Sequence, residues 1–135
     1  MKSYLYQLVS VFSILLASFS TEVMAQEQKP LDLNELAAQE ADRLQKLLDL
    51  EDWQVFYVDS TLQVNYSKLQ KEMESLQKSK VSNTSIYQEA RDKFMDNLDA
   101  AYRKFFTDEQ WAAYLKSGAA KQQKQRAKRR EKAGK

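Results

Sequence analysis

Seven apolar residues, Val55, Val58, Leu62, Tyr66, Leu69, Met73 and Leu76, follow one another at spacings of 3, 4, 4, 3, 4 and 3. That interval returns side chains to one face of an α-helix. No proline or glycine interrupts the chain from Leu31 to Ser117, and no alternating run of useful strand length appears. The pattern predicts an all-α chain whose longest helix runs from about Asp52 to Lys78, roughly 39 Å at 1.5 Å per residue.

Shorter periodic runs flank it. Asp32 with Glu35 has capping-box form, and Leu33, Leu36, Ala37, Ala41, Leu44 and Leu48 mark one face of a preceding helix. Lys78 to Ser85 is a polar break and reads as a turn. A third helix is expected to start near Ser85, with Gln88 three residues on. It carries Tyr87, Ala90, Phe94, Leu98, Ala101 and Phe105. Asn65 and Asn83 each begin a glycosylation sequon, a match that three-residue patterns often make by chance.

Charge divides the chain. From Gln26 to Leu115 there are 11 basic and 17 acidic residues; from Lys116 to Lys135 there are 9 basic and 1 acidic. The basic end reads first as a solvated, frayed helix, and second as a surface attracted to acidic membrane or cell-surface groups. At the other end, Lys2 precedes an apolar run from Tyr4 to about Phe19, and Val23-Met24-Ala25 follows. This is the form of a cleavable secretory signal peptide; an uncleaved anchor is the rival reading. The expected layout is therefore a signal peptide over 1–25, a helical domain over 26–117 and a basic C-terminal tail over 118–135. Export makes nucleic acid an improbable partner. With no cysteine and no histidine, disulfides, thiol nucleophiles and imidazole acid–base chemistry are excluded.

Two short stretches share a grammar. In Phe106-Thr107-Asp108-Glu109-Gln110, Thr107 and Gln110 can satisfy each other's backbone N–H groups as a capping box, with Phe106 stapled onto Trp111. Asp108 and Glu109 add negative charge where the helix dipole favours it. Leu50-Glu51-Asp52-Trp53-Gln54 repeats the plan 56 residues earlier, with Glu51 in place of Thr and Asp49 as an alternative cap. The pair predicts two helix–corner–helix units, and a fourth helix from Asp108 to at least Leu115 with Gly118 ending or weakening it.

With its export signal and all-helical composition, the chain resembles the LTxxQ-motif proteins of bacterial periplasms, of the Spy/CpxP type. The resemblance rests on "FTDEQ" and "LEDWQ", about ten residues of motif within the layout of most of the mature chain. It implies a thin, curved helical dimer in the periplasm. Its expected role is that of an ATP-independent chaperone or an envelope-stress regulator.

The residues themselves point away from catalysis. Carboxylates such as Glu72 with Glu74, and Asp92 with Asp96, read as solvated charge on polar faces. No glycine-rich phosphate loop is present. Met73 and Met95 fall on apolar stripes, as core fillers do. No cofactor and no metal is expected, although a weak carboxylate site stays open. The aromatics Trp53, Phe56, Tyr57, Tyr102 and Trp111 have two readings, core packing or a client-binding face. A thin hairpin cannot cover such wide stripes, so a homodimer is expected. The partners expected on this reading are unfolded or envelope proteins; the alternative is a single regulatory envelope protein.

Overall fold

The computed structural model of the chain describes residues 32–134. The signal-peptide expectation for residues 1–25 lies outside them. Asp32, in extended conformation, accepts the Asn34 N–H at 2.9 Å and so starts helix α1, Leu33–Leu48. Ala37, Ala41, Leu44 and Leu48 form its buried face. Small residues at two turns of that face let the next helix approach closely. Asp49 then takes a left-handed conformation at φ 52° and turns the chain, and Leu50 drops into the core.

Helix α2, Asp52–Lys78, has the bounds the periodicity predicts. Glu51 is its N-cap residue; Asp49 instead ends α1. Helix α3, Thr84–Phe105, returns along α2. Its cap is Asn83, whose side chain accepts the Ser85 N–H at 3.0 Å. The expected start at Ser85 with Gln88 gives way to this cap, and Gln88 donates to Asp92 at 2.9 Å instead. Only the half of the hairpin beside α1 has a closed core. Val58 and Leu62 are buried there, whereas no residue from 63 to 89 is fully buried. The reason is length: α1 has 16 residues and α2 has 27, so the distal arm is two helices with no third layer.

Beyond α3 the chain bends at Phe106 and Thr107. Helix α4, Asp108–Tyr114, packs against α1. A π-type turn, Leu115–Ala119, follows, with Gly118 at φ 120°. That backbone region is open to glycine and strained for other residues. The chain then continues as helix α5, Ala120–Ala133. The basic end is therefore not frayed, although most of its side chains are exposed. It is a helix whose Arg126 is 2% exposed. Among the described residues there is no strand, and no helix is long and apolar enough to cross a membrane.

Candidate functional site

The two corners meet. Gln54 Nε2 donates to Gln110 Oε1 at 2.7 Å, and Gln110 Nε2 donates to Gln54 Oε1 at 3.0 Å. Each Oε1 also accepts the N–H of the cap residue three positions earlier, from Glu51 and from Thr107, both at 2.9 Å. Each Nε2 also reaches the carbonyl two residues before the opposite cap. Gln54 binds Phe105 O at 2.8 Å, and Gln110 approaches Asp49 O at 3.4 Å. Both amides are saturated, which is what burial of a polar group requires. The 56-residue repeat in the sequence is thus a local two-fold relation in space. The Thr107 box is complete, with Gln110 N–H on the Thr107 hydroxyl at 3.1 Å. At the other corner the Glu51 carboxylate accepts the Trp53 indole N–H at 2.6 Å.

This amide pair floors an open groove of about 470 Å³. Trp53, Tyr57 and Phe105 form its apolar side, and Glu51, Lys104 and Thr107 its polar rim. Tyr57 lies 5.9 Å from Phe105 and 6.1 Å from Trp53, ring centre to ring centre. Phe56, edge-on to Tyr57, is 67% exposed. Trp53, Phe56 and Tyr57 are therefore one contiguous exposed aromatic group on the first turns of α2.

The other two aromatics lie elsewhere. Tyr102, expected as a possible client contact, is 2% exposed. It stacks on Phe106 at 5.1 Å and meets Tyr114 edge-on at 5.6 Å, so it belongs to the core. Burial raises its phenol above the ordinary value. Trp111 is half-buried, beside Tyr114 at 5.4 Å and under the Arg103 guanidinium at 5.7 Å. The ring partners of Phe106 are Tyr102, Phe105 and Tyr114, not Trp111. The expected staple is replaced by an aromatic stack because Phe106 points into the core, 5% exposed. Leu50, its counterpart at the first corner, is buried in the same cluster.

Comparison with protein-family models, with curated proteins and with solved structures finds no match.

A polar cluster at the α3–α5 contact was missed in the sequence. Asp92, Asp96 and Asp99 are not solvated charge. Arg129 binds both oxygens of Asp92 at 2.7 Å. Arg126 donates to Asp96 at 2.7 Å and also binds Asp99. Arg130 reaches Asp96 at 3.0 Å. Asp99 further accepts from the Tyr114 hydroxyl at 2.7 Å and from Gln123 at 3.0 Å. The Arg129 guanidinium holds the Asp92 carboxyl below its ordinary pKa, and Gln88 adds to this. Burial, then the Asp99 contact, pushes the Tyr114 phenol up. The signal was present as matched spacings: aspartates on one face of α3 and Arg126 and Arg129 on one face of α5. Among the described residues no group of three or more such side chains converges as metal ligands would.

Proposed function

We propose that the chain is an exported, ATP-independent binding protein of the LTxxQ type. It shields unfolded or aggregation-prone envelope proteins, which it takes at the corner groove. The observation that carries this reading is the exposed aromatic group Trp53, Phe56 and Tyr57, 49%, 67% and 52% accessible, clustered on the first turns of α2. Large apolar side chains held together at a surface mark sites that other molecules cover. Aromatic anchors bind well because they bring much area with few rotatable bonds. The saturated Gln54–Gln110 crosslink beneath them fixes the groove, so little ordering is needed when a client segment arrives. Lys104 at the rim offers a charge to acidic residues flanking an apolar client segment. No step of such binding consumes a nucleotide.

The test is aggregation suppression. The chain should lower the turbidity of several unrelated unfolding substrates. The double substitution Trp53→Ala and Tyr57→Ala should abolish most of that effect while leaving helicity by circular dichroism unchanged. A folded double variant that suppresses as well as the parent would refute the groove. Stoichiometric binding to one folded envelope protein, with no effect on unfolded substrates, would replace the chaperone reading with the regulatory one.

A further inference from the structure

Helix α5 sorts its two kinds of cation onto opposite sides. Arg126, Arg129 and Arg130 face α3 and are paired with Asp92, Asp96 and Asp99. Lys121, Lys124, Lys128 and Lys132 are all exposed. They recur at spacings of 3, 4 and 4, which places them in one row along the outer side. None of the four is in an ion pair among the described residues. The row spans about 16 Å of helix axis.

We propose that this lysine row is a docking edge for a membrane surface bearing anionic phospholipid headgroups. This is independent of the groove, which lies at the α2–α4 corner. Three features of the row select that partner. Its neighbours on α5 are Gln122, Gln125, Ala127 and Glu131, with no aromatic residue anywhere in the helix. Single-stranded nucleic acid would find no ring on which to stack. The guanidinium groups that recognise phosphate and guanine in a forked geometry are already engaged by Asp92, Asp96 and Asp99. A folded acidic protein would find no apolar centre around which to build an interface. A fluid sheet of headgroups needs none of these. Its phosphates rearrange laterally under a convex row of flexible ammonium groups, and the helix adsorbs without inserting.

The rest of the molecule orients the contact. Residues 26–115 carry 17 acidic against 11 basic side chains, so an anionic surface repels them and attracts only the α5 edge. The docked arginines matter indirectly: they hold α5 against α3 and leave the lysines on the exposed side.

The experiment is flotation of the purified chain with phosphatidylcholine vesicles, with and without phosphatidylglycerol. Binding should require phosphatidylglycerol and vanish in molar salt, because screening shortens the reach of exposed charge. Each single Lys→Gln change in the row should weaken partitioning about fivefold, the share of one basic residue near an anionic surface. The fourfold variant Lys121→Gln, Lys124→Gln, Lys128→Gln, Lys132→Gln should not float. The same four positions changed to Arg should float as the parent does, and Trp53→Ala with Tyr57→Ala should leave flotation unchanged. Equal binding to pure phosphatidylcholine, or retention by the fourfold Gln variant, would overturn the proposal. So would lysine-dependent binding of duplex DNA by a chain that ignores vesicles.

Discussion

Gln110 shows how much one side chain can hold. Its amide serves the Thr107 N–H, Gln54 and the Asp49 carbonyl at once. Thr107→Ala removes one hydroxyl acceptor and should cost about 1 kcal/mol in a urea melt. Gln110→Ala strands the buried Gln54 amide and Gln54→Ala the part-buried Gln110 amide, and each should cost about 1 to 3 kcal/mol. The two losses should not add: a double-mutant cycle should give a coupling of about 0.5 kcal/mol or more. Full additivity would mean that the crosslink does not form in solution. Gly118 makes a second residue-scale case. A Cβ there would meet nothing within 4 Å, yet φ is 120°. Gly118→Ala should therefore destabilise by about 1 to 3 kcal/mol through backbone strain alone, seen as a lower urea midpoint with an unchanged slope.

At the scale of the element, α5 is held to α3 chiefly by charge. Arg126 is almost fully buried, so Arg126→Ala leaves Asp99 without its cation and should cost about 3 to 5 kcal/mol. Hydrogen exchange should show the loss first in the amides of α5, because α1 to α3 have their own apolar core. The same contact sets an acid limit. Asp92 has a lowered pKa in the folded chain, with Arg129 as the principal cause. Its contribution is therefore present above about pH 4, the ordinary carboxyl value, and is lost as pH falls through the lowered one. Exchange in α5 should rise in that window, and Asp92→Asn should remove Asp92's share of the pH dependence. At the alkaline end Tyr102 and Tyr114 have raised pKa values. Their neutral forms favour the fold, and that stability is lost as pH rises above about 10.

For the whole molecule, the covered and uncovered halves of the α2–α3 hairpin differ in what they can do alone. The half beside α1 is closed, while Val64 at 53% and Ile86 at 38% remain exposed further out. An arm of two helices buries one face of each and leaves the other wet. We expect a second copy to cover part of that surface, so light scattering at micromolar concentration should give twice the mass of one chain. A monodisperse monomer would rule this out. If both proposals hold, the two should separate by mutation: Val64→Ser should affect dimerisation, and Trp53→Ala with Tyr57→Ala the suppression of aggregation.

The sequence by itself determined the helices and the corners. A 3.6-residue period over α2 leaves no other backbone in which Val55 to Leu76 share a face. The Thr107 box likewise involves only residues three apart, so local chemistry writes it. Which aromatics stay outside was beyond that reach. Tyr102 and Tyr57 look alike as exposed-or-buried candidates until α1 and α4 are seen to close over one and not the other. The pairing of Gln54 with Gln110, and of Arg126 with Asp96 and Asp99, spans 27 to 56 residues. No local rule links groups so far apart. Their matched spacings on separate helices became a crosslink and an ion-pair cluster only when packing brought those faces within hydrogen-bond distance, where burial demands that every polar atom be paired.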